Sequence, residues 1–501
     1  MMTKQSRTGN ILFITLDQCV ASVLTGPLAP HVPTPNLDRL AASGTLFENH
    51  FTVTLPCGPA RASLLTGLYA MNHRAIRNGT PLARHHATVA TEARKSGYEP
   101  LLFGYTDIAP DPADISPEDP DLTVYEGVAP GFREIVEMQM ESGREWPAYL
   151  RARGYDIHLR EDGWPSYYVP SGNGTLRDPA IYSATDSDTA YLTTRTLEAL
   201  DYRREFGPWF AHVAFIRPHP PLVAPAPYCT LIDADALPAP ETAAPNHPFL
   251  DAWFSRPSNR SLFHGHDGDN SALSAAQTQD ARAVYLGLVA EVDHHIGRLL
   301  DWLDATGQAD NTLVIATADH GEMLGAKHMW GKESVFDPAL HVPLVIRAPN
   351  RPGGTRVSAI SESVDIAPTI LDWIAHPILP AMDGQSLLPL INGGPPDTWR
   401  DAAMIELDLG HPETRTRFMD HMGVSVNQAN VSILRESRWK YVHFGGDVPP
   451  MLFDLQDDPD ETTNLANDPA HAAQITRMAR KLINRMTERR DRRLTSHNQG
   501  A

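Results

Sequence analysis

The chain reads as an α/β protein with a smaller C-terminal α+β subdomain, on three observations. Continuous apolar runs recur along residues 1–395, and the first and fourth of them end in an acid. Helix-like segments alternate with these runs, the order of a layered α/β sheet. After about residue 395 the texture changes to short alternating strands and a basic amphipathic helix. The division expected is a large α/β domain over 1–395 and a C-terminal subdomain over 396–501, the latter a small antiparallel sheet with a terminal helix.

The elements follow in order. Ile11 to Asp17 is a fully apolar run closed by a carboxylate, the pattern of a buried parallel strand with function at its C-terminal end. Glu99 to Tyr105, Phe210 to Ile216, Thr312 to Asp319 and Val342 to Ala348 read the same way. Helices are expected over Asn36–Ser43, Ala283–Thr306 and Ser363–Ile374. A further helix is expected from about Ala60 to Tyr69, with Pro59 suited to its first position. Asp107–Gly174 and Pro218–Asn270, rich in Pro, Asp, Gly and His, are expected as long functional loops. Val431–Phe444 and Met451–Leu455 read as strands, and Ala470–Arg489 as the terminal helix.

The formal net charge of −19 argues against nucleic acid or an anionic membrane as a partner. An anionic substrate must then be captured by a local positive site. Three scattered cysteines, Cys19, Cys57 and Cys229, do not make a disulfide framework. No apolar stretch approaches a membrane span, and Met1–Asn10 has no signal-peptide core, so the cytoplasm is the expected location.

Chemistry concentrates at Cys57-Gly58-Pro59-Ala60-Arg61, followed by Leu64-Leu65-Thr66-Gly67. A helix starting here puts Cys57 at its N-terminus, where backbone N–H groups favour anions, with Arg61 about one turn in. The Cys-to-Arg spacing is too short for a cysteine-dependent phosphatase loop. The string resembles the core of the sulfatase signature, within the alkaline phosphatase superfamily. That resemblance implies an alkaline-phosphatase-like mixed sheet sandwiched by helices. It also implies that a formylglycine-generating enzyme, as partner, oxidises Cys57 to formylglycine, an aldehyde whose hydrate attacks the substrate.

Two strand-end pairs extend the resemblance, Asp17-Gln18 and Asp319-His320. With Cys57 they form an expected one-metal site of Asp17, Gln18, Cys57, Asp319 and His320. Typical sulfatases carry Asp-Asp and Asp-Asn at these pairs. The imidazole pulls toward transition metals, so Mn²⁺ is favoured and Ca²⁺ is next. The Gln and His variant resembles the phosphonate monoester hydrolase and arylsulfatase branch. By that resemblance Asn78, Tyr105, His219 and Lys332 hold the substrate oxygens, and Arg61 orients the hydrate. The branch carries a threonine where this chain has Asp107, so either Thr106 takes its role or substrate preference differs.

The resemblance implies hydrolysis of sulfate and phosphonate monoesters, with phosphate esters slower, because neutral donors dominate the expected pocket and suit monoanions. His219 or Lys332 protonates the leaving oxygen. A small anionic ester is thus the expected substrate, and a homo-oligomer the expected assembly. A phosphodiesterase or phosphatase of the same superfamily, and a metal-binding protein with unmodified Cys57, are the competing readings. His212 is expected in the core, His294 and His295 in surface or packing roles, and His264 in an active-site loop. Glu322 and His328 are candidates to support the metal residues.

Overall fold

The computed structural model describes residues 9–490 apart from 141, 142, 173 and 395. Its centre is β1 (Asn10–Leu16), seven buried residues paired in parallel with both neighbours. The strands in chain order are β2 (Thr45–Phe47), β3 (His50–Phe51), β4 (Pro100–Gly104), β5 (Arg133–Glu137), β6 (Phe210–Phe215), β7 (Thr312–Ala318), β8 (Leu344–Arg347), β9 (Thr355–Val357) and β10 (Ser361–Glu362). Eight of them form one mixed sheet in the order β5-β4-β6-β1-β7-β8-β2-β9. The strands from β5 to β7 run parallel, whereas β8 is antiparallel to β7. The direction of β8 is invisible in its apolar run, because a strand buried on both faces looks alike either way.

Helices cover both faces. They are α1 (Pro35–Ser43), α2 (Cys57–Thr66), α3 (Asp188–Arg203), α4 (Ala275–Ala305), α5 (Ile366–Trp373) and α6 (Ala472–Glu488). Alternate β1 residues serve opposite cores, as the pleat requires. Leu12, Ile14 and Leu16 pack with Leu192 of α3 and Val284 and Leu288 of α4. Ile11 and Phe13 pack with Leu64 and Leu65 of α2 and Ile366 and Ile370 of α5.

Three expectations need correction. Pro59 is the third residue of α2, not the first, because the helix starts at Cys57 and Ala60 N–H makes its bond to the Pro56 carbonyl at 3.0 Å. A proline is tolerated there since the first turn's N–H groups have no helical partner. The helix also ends at Thr66, where Gly67 takes the left-handed conformation at φ 69°. The long helix begins eight residues before Ala283, set by a reciprocal cap between Ser274 and Gln277. Asp107–Gly174 is not all loop: it holds edge strand β5 and a helix over Glu145–Ala152. The alternating charges of Arg133-Glu134-Ile135-Val136-Glu137 hide an edge strand exposed along most of its length.

The C-terminal sheet is antiparallel: β11 (Ala402–Asp408), β12 (Asn430–Glu436), β13 (Trp439–Phe444) and β14 (Met451–Asp454). Ile405, Ile433 and Val442 face the main body and share a core with Phe51, Phe249 and Phe336. Met404, Leu434 and Tyr441 face the other way, onto Met478 and Leu482 of α6. No helix among the described residues is long and apolar enough to cross a membrane.

Candidate active site

Parallel strands deliver their C-terminal ends to one edge of the sheet, and the predicted residues gather there. Asp17 and Gln18 follow β1, Asp319 and His320 follow β7, Tyr105 follows β4, and His219 lies four residues beyond β6. Helix α2 carries Cys57 over the same edge. Asp17, Cys57, Asp319 and His320 are all buried, and each offers a ligand atom within 4.8 Å of the others. His320 Nδ1–H donates to the Gly321 carbonyl at 3.0 Å, which leaves Nε2 as the lone pair facing the cluster, 3.2 Å from Cys57 Sγ. Gln18 is held at φ 64° by its own N–H on Asp319 Oδ1 at 3.0 Å and by Tyr285 O–H on its carbonyl at 2.7 Å. Its Nε2 donates to Glu322, so its Oε1 turns toward Lys332. Two carboxylates, one amide oxygen and one imidazole nitrogen make a donor set fit for a divalent cation.

Lys332 spends three protons at the site: on Cys57 Sγ at 2.8 Å, His219 Nε2 at 2.9 Å and Gln18 Oε1 at 3.0 Å. His219 Nδ1–H donates to the Pro220 carbonyl at 2.5 Å, which makes its Nε2 an acceptor. Burial, reinforced by the Lys332 charge, pushes His219 down to about 3, so the ring is neutral. Burial would raise the Asp17 carboxyl, but the charges beside it, with Arg61 and Lys332 as the fixed cations, outweigh it and hold it below the usual range. Burial and then Asp17 push the Cys57 thiol well above its ordinary value.

Arg61 is engaged on all three nitrogens: Nε to Asp319 Oδ2 and Nη2 to Asp17 Oδ2, both at 2.9 Å, and Nη1 to the Tyr105 carbonyl at 2.8 Å. It therefore braces the two carboxylates. Tyr105 lies beneath the Arg61 guanidinium, 4.1 Å from ring centroid to Cζ, and its hydroxyl donates to Asp17. Asn78 Oδ1 accepts from Gly58 N–H at 2.9 Å, so its amine is the group left to meet a ligand.

Thr106 does not face the cluster. Thr106 Oγ1 donates to the Gly127 carbonyl and accepts from Ala129 N–H, each at 2.7 Å, which makes it a loop tie. Asp107 is buried at φ 52° with a carboxylate oxygen 3.7 Å from Arg61 Nε. Burial pushes its pKa well above the carboxylate range, against the pull of Arg61.

His212 is a core residue, stacked on Phe13 at 4.4 Å. His295 is buried and His294 exposed on α4. Of the two supporting candidates Glu322 reaches the site, whereas His328 is exposed. His264 pairs with Asp162 at 3.0 Å and does not line the cavity over the cluster. Tyr285 and Arg217 carry functions the sequence reading did not give them. Arg217 Nη1 clamps the carbonyls of His219 and Pro221 at 3.1 and 2.7 Å, and its Nε pairs with Asp188 at 2.8 Å. An arginine inside an apolar-flanked strand end was the available signal.

A cavity of about 730 Å³ opens over Gln18, Asn78, His219 and Lys332. The Sulfatase family model matches residues 10–376, and a model for the C-terminal part of N-sulphoglucosamine sulphohydrolase matches residues 325–489. The chain is 38% identical over 508 residues to the multifunctional alkaline phosphatase superfamily protein PehA of Trinickia caryophylli, covering 97% of each chain. Phosphonate monoester hydrolase SpPMH from Silicibacter pomeroyi superposes with a TM-score of 0.91 at 45% identity, over 97% of each chain. The phosphonate monoester hydrolase of Agrobacterium radiobacter gives 0.90 at 39%, again over 97% of each. With that fold, that cluster and that match along nearly the whole length, the chain belongs to the Sulfatase family of hydrolases, within the alkaline phosphatase superfamily.

Proposed function

We propose that the protein is a formylglycine-dependent hydrolase of sulfate and phosphonate monoesters that uses one divalent cation and acts more slowly on phosphate esters. The observation that carries this reading is the position of Cys57. It stands at the N-terminus of α2, inside the Asp17, Asp319 and His320 cluster, with Lys332 Nζ 2.8 Å from its sulfur. Asp17, Gln18, Asp319, His320 and residue 57 would hold the cation, Mn²⁺ by preference and Ca²⁺ next. The cation supplies the charge that lowers the pKa of a hydroxyl on residue 57 and draws negative charge from the ester oxygens.

The chain's own residues do the rest. Arg61 keeps both carboxylates aimed at one point. Lys332 Nζ and the Asn78 amine are placed to meet ester oxygens as charge develops on them. His219 Nε2 accepts from Lys332 in this arrangement, which favours Lys332 over His219 as the group that protonates the leaving oxygen. Tyr105 and His219 are neutral, so the site carries few cations of its own and suits a monoanionic ester better than a dianion. Asp107 is braced beside Arg61, whose guanidinium 3.7 Å away offsets its charge.

The test is the mass of the tryptic peptide Leu40–Arg61 together with turnover of aryl sulfate and aryl phosphonate esters. The expected result is an aldehyde or its hydrate at residue 57, activity lost to a chelator, and no steady-state turnover by Cys57→Ser. Full turnover by Cys57→Ser, or by protein that keeps an alkylatable thiol after co-expression with a formylglycine-generating enzyme, overturns the mechanism.

A further inference from the structure

The cavity over the cluster extends away from residue 57 into the seam between the main body and the loop that follows β11. Two features mark that outer half. It is flanked by aromatic rings: the Arg417 guanidinium lies over Trp253 and Phe418, 5.2 and 5.4 Å from their centroids. It is also cationic. Arg77, Arg256, Lys332 and Arg417 line the cavity against the carboxylates of Asp408 and Glu333, a local excess of positive charge in a chain of net charge −19.

The ester end already employs Lys332. Of the three arginines, Arg256 is paired with Asp420 at 2.8 Å and Arg417 with Glu333 at 3.3 Å. Arg77 gives Nη1 to the Gly410 carbonyl at 2.8 Å and has no carboxylate within 4.0 Å among the described residues. It directly precedes Asn78, whose side chain is pinned to the N–H of Gly58, the neighbour of Cys57. An arginine with no carboxylate within 4.0 Å among the described residues therefore lines the same cavity as Asn78 and Lys332, beside the Arg417 guanidinium that is stacked on Trp253 and Phe418.

We propose that this outer half is a leaving-group subsite for an aromatic ring that bears its own anion, with Arg77 as the residue that recognises that anion. The ring lies against the Arg417 guanidinium, which is itself stacked on Trp253 and Phe418, and Arg77 takes the anion through its fork of donors. This rests on the ester-hydrolase reading above and adds the substrate class: aryl esters whose phenol carries a carboxylate or a second sulfate.

The experiment compares kcat/KM for the sulfate esters of 4-hydroxybenzoate and of its neutral amide, 4-hydroxybenzamide, on protein shown to carry formylglycine. The wild-type enzyme is expected to prefer the carboxylated ester by about tenfold or more, the scale of one charge-assisted hydrogen bond. Arg77→Gln is expected to bring the ratio to near one, and Arg77→Lys to keep part of it. A wild-type ratio at or below one, or a ratio unchanged in Arg77→Gln, overturns the subsite while leaving the hydrolase reading intact. Turnover of neither ester overturns the hydrolase reading, and the subsite with it. The wild-type ratio decides by itself if the glutamine variant fails to fold.

Discussion

Gln18 owes its orientation to Glu322. The Glu322 carboxylate accepts Gln18 Nε2 on one oxygen, and the N–H groups of Leu324 and Gly331 on the other at 3.1 and 2.5 Å. Gly331 is the residue before Lys332, so one buried carboxylate fixes both a metal candidate and the proposed acid. An amide has one acceptor oxygen where the carboxylate has two, so Glu322→Gln leaves an N–H donor facing a donor. The expected outcome is a drop of about 10–100-fold in metal affinity and kcat/KM, the usual scale for groups that orient metal ligands. Metal titration of the purified variant checks it, and unchanged affinity would refute the assignment. Glu322 could be suspected from its place three residues after Asp319. Its partner could not, since Gln18 lies 304 residues away in the chain.

At the scale of the element, α4 shows how one helix serves both packing and the site. Asp293 caps α1 by accepting Leu37 N–H at 2.7 Å, and a side chain at Gly297 would strike Asn36, so the two helices meet closely there. On the same helix Glu291 lies buried beside Ser187, Asp188 and Arg217, under the segment that presents His219. Burial, with Asp188 adding to it, pushes Glu291 up to about 8 from an ordinary 4.5. The folded protein then keeps a proton that the unfolded chain releases between about pH 4.5 and 8, so stability falls as pH rises through that window. Glu291→Gln mimics the protonated side chain. It should melt with the wild type near pH 5 and above it near pH 9, by a margin on the order of a few kcal/mol. Melting curves at the two pH values test this, and a pH-independent difference would contradict it.

Across the whole molecule, the C-terminal sheet is joined to the main body by charge as well as by its shared core. Lys440 of β13 is fully buried between Asp337 Oδ1 at 2.7 Å and Glu461 Oε1 at 2.6 Å, and Arg435 adds a contact to Asp337 at 3.2 Å. Lys440→Met strands Glu461 against Asp337 without its cation, a loss of about 3–5 kcal/mol. Denaturant unfolding should show that loss, and Lys440→Met combined with Glu461→Gln should recover much of it. A single variant as stable as the wild type would show that the junction does not depend on the ion pair. The same junction forms one wall of the substrate cavity, through Asp408 to Phe418, so its loosening should also raise KM.

The sequence by itself determined the α/β class, the strand ends that bear Asp17 and Asp319, the helix that opens at Cys57 and the residues gathered around it. Those features are local: an apolar run buried on both faces, a helix with a proline in its first turn and a short motif are written in adjacent residues. Only the tertiary structure decided the reversed direction of β8, the edge strand inside a charged segment, the roles of Glu322, Tyr285 and Arg217, and Thr106 as a loop tie. It also decided that Arg61 braces carboxylates and that loops from both ends of the chain wall the cavity. Each of these depends on partners far apart in the chain. Which buried group meets which is settled by packing and by the cost of leaving a polar atom unpaired, and neither is encoded at a single position.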